Sequence, residues 1–370
     1  SNVDQYSDYL IEAAVALVKK GQVLKVTPTS EKGSLISDSY AAMTKANLGK
    51  AKILDEYGTV GLADGSYWPG GAPFPDAKTA LEVMVNFQFS NLGAEGDQWS
   101  SKEGPQKPVS RFYYINSEGQ VYKNSVLAAG QMNMTSRSTS GDSIAGYEDE
   151  FLRRYLAFTE PYDVKGIVTL DIQYRDQSIL PESYVYLPSF RRVRQVSTAN
   201  RADSVAGSEL SQSDLGGFSD PLGLWTYKIL AKKKMLVNVD DAIEAPAYPA
   251  EPTFLNGYFP QLERAMQLRD TFVIEATPRF DTIYSKKIIT IDAELYRLSD
   301  VGAYDLQGKL YKGIQQDWAY QNDGKPVPPW LLLYNFQTNG ATILANNGLA
   351  IDVDVPLSMF QKSSMKNFSR

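Results

Sequence analysis

Three closely spaced arginines, Arg191, Arg192 and Arg194, are the side chains whose type and spacing most directly indicate chemistry. A guanidinium group is a rigid bidentate donor to phosphate and carboxylate. Because side chains alternate along a strand, Arg192 and Arg194 share one face and Arg191 lies on the other. One hypothesis is that Arg192 and Arg194 hold an anionic headgroup at the rim of a binding cavity. The alternative is cross-strand pairing with acids such as Asp171 and Glu182.

Catalytic chemistry has little support in the rest of the chain. Histidine and cysteine are both absent from the 370 residues. Their absence removes imidazole-assisted nucleophiles, thiolate metal sites and disulfides. Residues 363–366 have the S-x-x-K spacing of Ser-Lys acyl enzymes, but no K-T-G or S-D-N follows, so we interpret the match as chance. We predict a protein that is not an enzyme and that uses no metal or other cofactor.

A carboxylate-dependent enzyme remains an alternative. Acidic residues that are close in sequence are Glu148 and Glu150, Asp240 and Asp241, and Asp352 and Asp354. Such pairs catalyse acid–base reactions only when a cleft holds them across from each other. In loops they are normally solvated, so this reading comes second to a binding function.

Composition is typical of a globular protein, with 43% hydrophobic and 22% charged residues. The net charge of −6 argues against nucleic acid as a partner, because phosphate binding needs a basic field. No segment reaches the roughly 20 apolar residues of a membrane-spanning helix. We interpret Ser1-Asn2 as a cloning scar in front of a mature sequence from which a leader has been removed.

An antiparallel sheet is predicted for 166–237, with strands over 166–174, 182–188, 190–197 and 224–237. Apolar and polar residues alternate in its first strands, so one face is dry. We predict that this face lines a ligand cavity. The lining residues would be Val168, Leu170, Ile172, Tyr184, Tyr186 and Trp225. A shift of one residue would exchange the two faces. The 23 Tyr, 15 Phe and 5 Trp also favour a cavity, since amphipathic rings can line one.

Other elements follow from periodicity and from glycine and proline. We predict helices over 6–20 and 39–57, a third that begins at Asp76 as N-cap, and a short one over Glu148–Phe158. The third helix either packs in the core or covers the cavity as a lid. Further strands are predicted over 111–115, 120–126 and 272–278, two strands within 286–315, and a closing hairpin of 330–338 and 348–357. Residues 232–234 are expected in a solvated turn, 242–256 in a connector, and the polar tail after 359 is expected to be frayed.

Several of these stretches together resemble one bacterial family of unknown function, labelled as outer-membrane lipoprotein-sorting proteins. The residues that carry the resemblance are YLPSFRRVRQVS at 186–197, Asp203, Gly207, DLGGF at 214–218, WTYKILAKKKML at 225–236, and the flanking stretches 45–54, 71–87, 284–292 and 304–312. The family is similar in fold to the periplasmic lipoprotein carriers LolA and LolB. The resemblance implies a half-open antiparallel barrel whose apolar concave face, covered by helices, holds acyl chains.

We therefore predict an α+β fold, with a large curved antiparallel sheet and helices on its concave face. Residues 1–100 would form the helical region, 101–358 the sheet and 359–370 a polar tail. The leading hypothesis is a periplasmic carrier of a lipid, a lipoprotein acyl chain or another hydrophobic ligand. Its further partners would be an inner-membrane transporter or an outer-membrane protein. The alternative is an adaptor in an envelope transport complex, which a well-packed sheet interior would favour. The second alternative is the carboxylate-dependent enzyme, which would then act on envelope lipid or glycan.

Overall fold

The computed structural model describes residues 3–31, 35–90, 98–101, 110–137, 143–240, 254–255, 259–260, 264–320, 326–346, 349–351 and 355–369. Its α-helices are α1 (Glu12–Lys19), α2 (Asp38–Ala46) and α3 (Ala80–Ser90). Short 3-10 helices cover Val3–Tyr9, Thr198–Ala202, Gln212–Gly217, Leu222–Leu224, Leu357–Phe360 and Lys362–Ser369. No helix in these ranges is long and apolar enough to cross a bilayer.

Strands dominate the chain. The first half contains β1 (Leu24–Val26), β2 (Lys52–Ile53), β3 (Val60–Gly61), β4 (Gln98–Ser101), β5 (Ser110–Ile115), β6 (Val121–Asn133), β7 (Glu150–Glu160), β8 (Val168–Tyr174), β9 (Glu182–Leu187) and β10 (Arg192–Val196). The second half contains β11 (Trp225–Asn238), β12 (Phe254–Leu255), β13 (Phe259–Pro260), β14 (Arg264–Pro278), β15 (Tyr284–Asp292), β16 (Leu298–Asp305), β17 (Leu310–Gln316), β18 (Ala319–Tyr320), β19 (Pro326–Val327), β20 (Trp330–Asn335), β21 (Ala341–Asn346) and β22 (Leu349–Ile351).

Sixteen of the described strands form one sheet. Its hydrogen-bonded order is β1-β14-β15-β16-β17-β20-β21-β5-β6-β7-β8-β9-β10, while β11 pairs with β14, β4 with β6, and β22 with β4. The pairings are antiparallel except for β1 with β14. The two ends of this order do not meet, so the sheet is open. This confirms the predicted α+β fold with a large, half-open antiparallel sheet.

The sheet has two apolar faces, which we call inner and outer. The inner face packs against α3 and against residues 198–224, and it contains Phe112, Leu156 and Ile274. The outer face packs against α1 near β16 and against residues 355–368 near β8. On β7, Leu156 and Phe158 face inward whereas Tyr155 and Ala157 face outward. Burial of both faces explains why the strands are rich in apolar residues throughout.

The start of α3 is fixed by a capping box, and the prediction of Asp76 as its N-cap is wrong. Thr79 Oγ1 accepts a hydrogen bond from the Glu82 amide at 3.2 Å, and Glu82 Oε2 accepts one from the Thr79 amide at 2.9 Å. Asp76 instead pairs with Lys78. Val83, Met84, Val85 and Phe87 are buried on this helix. The helix is therefore part of the core, which was one of the two roles predicted for it from the sequence.

Substitution of Thr79 by alanine tests the capping box. We expect a loss of about 1 kcal/mol in the free energy of unfolding, because one amide at the helix start loses its acceptor. Serine at the same position should restore most of the loss. Urea unfolding followed by circular dichroism measures the difference, and equal midpoints for Thr79→Ala and the parent would contradict the assignment.

Two helix predictions fail. Residues 148–158 are not a helix but largely β7, because both faces of this strand are buried and an apolar run without clear alternation looks helical. The second helix ends at Ala46, eleven residues before its predicted end at 57. Asn47 turns away to donate to the Gly70 carbonyl, and Gly49 has a positive φ of 76°. Residues 52–61 form the β2–β3 hairpin instead.

Four further predictions need correction. Residues 286–315 contain parts of three strands rather than two, since β16 ends at Asp305 and β17 begins at Leu310. Residues 232–234 lie within β11 and not in a turn. The closing hairpin pairs β20 with β21, whereas β22 pairs with β4. The tail is not frayed, because Phe360 and Met365 are buried against the outer face.

The connector at 242–256 and the acids Asp241, Asp352 and Asp354 lie outside the described residues, except for 254–255 in β12.

Candidate functional site

The residues predicted to line one cavity are divided between the two faces. Five of them lie together on the outer face: Val168, Leu170, Ile172, Tyr184 and Tyr186. Trp225 lies in the core of the inner face, against Phe218 and Phe280. In β8 and β9, the neighbouring residues of the opposite parity are the ones that face inward with Trp225. The predicted lining of these two strands is therefore displaced by one residue from the set that shares a face with Trp225. That these residues contact a ligand stays a prediction.

The C-terminal segment 355–368 covers the five outer-face residues. Phe360 and Phe368 pack on Tyr155, whose ring centroid lies 5.2 Å from that of Phe360 and 5.0 Å from that of Phe368. Arg153 Nη1 donates to the Phe360 carbonyl at 2.9 Å, and Lys362 Nζ donates to the Tyr184 hydroxyl at 2.6 Å. This apolar face is thus occupied by the chain itself.

Residues 198–224 fill the inner face through buried ion pairs that the sequence analysis did not single out. Arg201 Nη1 lies 2.7 Å from Asp171 Oδ1, and Arg201 Nε lies 2.8 Å from Asp220 Oδ1. Burial alone would raise the pKa of Asp171, but the Arg201 charge and hydrogen bonds outweigh it and the pKa is lowered. Trp225 Nε1 donates to Asp220 Oδ2 at 3.1 Å. Polar contacts therefore fix this segment where a carrier of the predicted type would hold its ligand.

Asp214 anchors the same segment a second time. Its Oδ1 lies 2.8 Å from Lys287 Nζ, and its Oδ2 lies 3.4 Å from Lys312 Nζ and accepts from the Tyr284 hydroxyl at 2.6 Å. Burial opposes ionisation of this carboxyl, but the two ammonium groups hold its pKa far below the usual value. The remaining space beside Asp171 is a cavity of about 20 Å³, enough for about one water molecule.

A third buried cluster of charged residues is expected to make the stability of the protein depend on pH. Arg264 Nη1 lies 2.7 Å from Asp300 Oδ1 and its Nε 2.7 Å from Asp317 Oδ1. Of these two carboxylates, Gln315 Nε2 donates to Asp300, at 2.8 Å. One guanidinium therefore serves two carboxylates. Burial, with the Asp300 and Asp240 charges, raises the pKa of Asp317 from 3.8 to about 7 despite Arg264.

The folded state consequently binds the Asp317 proton more tightly than the unfolded state does. We expect this group to make stability fall as pH rises from 3.8 to about 7, and to contribute no further slope above that range. Asp317→Asn should remove this slope. Thermal melts of both proteins across this range measure it, and identical pH profiles would contradict the assignment.

A larger cavity, of about 260 Å³, lies between α2 and the turn that joins β15 to β16. Its lining consists of Ile36, Tyr40, Ala41, Thr44, Lys45, Leu48, Ala72, Pro75, Glu294, Leu295, Tyr296 and Arg297. An enclosed apolar cavity of about 150 Å³ already binds benzene, and typical ligand pockets begin at about 300 Å³. The space therefore suits a slender hydrophobic group, with charged groups at its boundary.

The two walls of this cavity differ in how firmly they are held. The Tyr296 wall is fixed, because its hydroxyl donates to the Pro75 carbonyl at 3.0 Å and accepts from the Ala77 amide at 3.3 Å. The α2 wall contains no buried residue. Its attachment to residues 70–72 includes a 2.9 Å hydrogen bond from the Ala72 amide to Thr44 Oγ1. Gly71 permits this approach, since a Cβ there would lie 2.5 Å from the Thr44 nitrogen.

The two predicted rim arginines lie on β10, at the exposed end of the sheet order and away from α2. Both are exposed, and their register places them on the inner-face side of the strand. Their predicted cross-strand pairing with acids is wrong. Asp171 pairs with Arg201 and Glu182 with Lys362. A role in holding an anionic headgroup stays a proposal.

Two solved structures share this fold, and a third is similar at a lower TM-score. A domain from Vibrio parahaemolyticus that carries the name of an outer-membrane lipoprotein-sorting protein has a TM-score of 0.55 and 19% identity, covering 78% of this chain and 98% of that one. A DUF1329 protein from Desulfovibrio piger has a TM-score of 0.55 and 16% identity, covering 78% and 100%. A LolA superfamily protein from Nitrosomonas europaea has a TM-score of 0.47 and 13% identity, covering 78% and 99%.

The sequence places the chain more narrowly. Residues 1–367 match the model of DUF1329, described as a protein of unknown function, and the chain belongs to this family. No curated protein matches the sequence significantly. The resemblance noted from the sequence is thereby confirmed.

Proposed function

We propose that this protein is a non-enzymatic carrier or binder of a hydrophobic ligand in the bacterial envelope, and that the ligand occupies the cavity beneath α2. The observation that carries the proposal is this cavity of about 260 Å³, which has one wall fixed by the Tyr296 hydrogen bonds and one helical wall, α2, that contains no buried residue. Burial of an acyl chain there would provide about 0.8 kcal/mol per methylene group. Displacement of α2 would let the ligand enter and leave.

The name of the Vibrio parahaemolyticus domain supports the same proposal, because it places a protein of similar fold in lipoprotein sorting. On this proposal the chain works in the periplasm. It differs from a carrier with an empty sheet interior, since residues 198–224 occupy the inner face. Lys45 and Glu294 at the boundary of the cavity would contact the polar end of the ligand.

A second candidate is an adaptor without its own ligand. The packed inner face favours it, because its buried ion pairs at Arg201 and Asp214 leave little space there. The two candidates differ in whether the protein carries a bound molecule when it is purified from the periplasm.

Native mass spectrometry of protein purified from a bacterial periplasm tests the proposal. The carrier predicts a stoichiometric mass adduct, and solvent extraction should release it as a lipid or another hydrophobic molecule. A clean polypeptide mass, together with no uptake of a fluorescent fatty-acid probe, would refute the carrier and favour the adaptor. The same measurement on Ala41→Trp protein serves as control, because this substitution fills the cavity.

A further inference from the structure

The turn between β9 and β10 presents a group of cations without acidic partners. Arg191, Arg192 and Arg194 are exposed and form no ion pair with any residue in the described ranges. Elsewhere in those ranges, the buried arginines Arg201 and Arg264 are each held between two carboxylates. The chain as a whole carries a net charge of −6, so this positive group is opposite in sign to the net charge of the protein.

One of these arginines, Arg194, stacks on an exposed aromatic ring. Phe190 is 56% exposed in the turn, and the Arg194 guanidinium lies 4.8 Å from the centre of its ring. Arg191 follows directly, and Arg192 lies on the same side of β10 as Arg194. A cation stacked on an exposed ring is a group with both an apolar and a charged surface.

A second turn extends the same surface. Val168 pairs with Tyr186, which brings the β7–β8 turn beside the β9–β10 turn at one end of the sheet. Tyr162 in that turn is 95% exposed. Asp163 there is paired with Lys123, while Lys165 is exposed. The two turns thus present two exposed aromatic rings and several cations, with Glu160 as an exposed acid at their border.

We propose that these two turns, 161–166 and 188–194, dock the protein onto an anionic lipid surface. Guanidinium groups bind lipid phosphates in bidentate fashion, and aromatic rings settle at the level of the headgroups. Turns that protrude from the end of a sheet fit a planar, deformable surface better than a grooved protein partner. Because the chain as a whole is acidic, the positive charge of these two turns would orient this end of the sheet toward the membrane.

Charged edge strands also prevent sheets from associating with one another. Glutamate preserves that protection because it is charged, but it repels an anionic membrane. Substitution of the three arginines by glutamate therefore separates the two roles. If the glutamate variant stays monomeric but loses membrane binding, then membrane binding requires the positive sign of these side chains and not merely a charge.

Sedimentation with vesicles of equal parts phosphatidylglycerol and phosphatidylcholine tests the proposal. We expect salt-sensitive binding that is absent with phosphatidylcholine alone. The variant R191E/R192E/R194E should bind on the order of a hundredfold more weakly, since each cation near such a surface contributes roughly a factor of five. Phe190→Ser should weaken binding about tenfold, because an aromatic ring is no longer buried. Arg→Lys at all three positions should retain most of the binding.

The matched control is K228E/K232E/K233E, which makes the same charge change in β11 at another edge of the sheet. It should leave binding nearly unchanged, and thermal melts should show that both variants fold. Equal losses for the two triple variants, or no binding to anionic vesicles by the parent, would overturn the proposal. Arginine-dependent binding of polyglutamate without vesicle binding would also overturn it and would indicate an acidic protein partner. None of these outcomes depends on the cavity beneath α2.

Discussion

Asp214→Ala is expected to cost about 3–5 kcal/mol of the free energy of unfolding, because it leaves two buried ammonium groups without their counter-ion. Lys287 and Lys312 both reach this carboxylate, and the Tyr284 hydroxyl donates to it. Lys287 keeps only its contacts with the surrounding aromatic rings and the Ser213 carbonyl. The segment 198–224 would then lose one of its two ionic attachments to the sheet.

Denaturant unfolding of Asp214→Ala and of Asp76→Ala forms a matched pair. Asp76 also pairs with a lysine, but in solvent, so its removal should have little effect. Asp214→Asn should fall between the two proteins, since it keeps hydrogen-bonding capacity and loses the charge. An Asp214→Ala protein as stable as the parent would show that the buried network does not hold the inner face together.

A disulfide between positions 44 and 72 is expected to stop ligand exchange. Thr44 Oγ1 lies 2.9 Å from the Ala72 nitrogen, which brings the two backbones within reach of a disulfide. The chain has no cysteine, so T44C/A72C contains a single possible bridge. Oxidised protein should neither take up nor release a fluorescent fatty-acid probe, because α2 can no longer leave residues 70–72.

The reduced form of the same protein is the control. It should exchange the probe at nearly the parent rate, since only the two hydrogen bonds of the Thr44 hydroxyl, with the Ala72 amide and the Tyr40 carbonyl, are lost. Stopped-flow fluorescence measures both rates, and mass spectrometry confirms the bridge. Equal exchange rates for oxidised and reduced protein would show that the ligand does not pass beneath α2.

Period-two alternation identified the strands of the central sheet from sequence, but it could not identify their buried face. Both faces are covered, and the cover of the outer face, Phe360 and Met365, comes from a tail that looked polar. The placement of Val168 and its neighbours on that face depends on this distant segment. No local pattern contains that information, because a change of one residue in phase exchanges the faces.

The buried ion pairs were missed for a related reason. Arg201 contacts Asp171, thirty residues earlier, and Asp214 contacts Lys312, ninety-eight residues later. A charged residue in a loop is normally solvated, so sequence reasoning assigns it to the surface. The resemblance did mark the stretch 214–218, which contains Asp214, and this was the available signal. The cavity beneath α2 could not be anticipated, because its lining comes from three separate stretches of the chain, 36–48, 72–75 and 294–297.

Titration of a fluorescent fatty-acid probe into Ala41→Trp and Ala42→Trp proteins tests the central claim most directly. Ala41 lines the cavity, whereas Ala42, the next residue of α2, lies outside the lining, and both residues are exposed. The two variants thus add the same side chain to the same helix. We expect the parent and Ala42→Trp to bind one equivalent of probe with similar affinity, and Ala41→Trp to lose binding. Equal affinities for both variants, or no binding by the parent, would contradict a hydrophobic ligand site beneath α2.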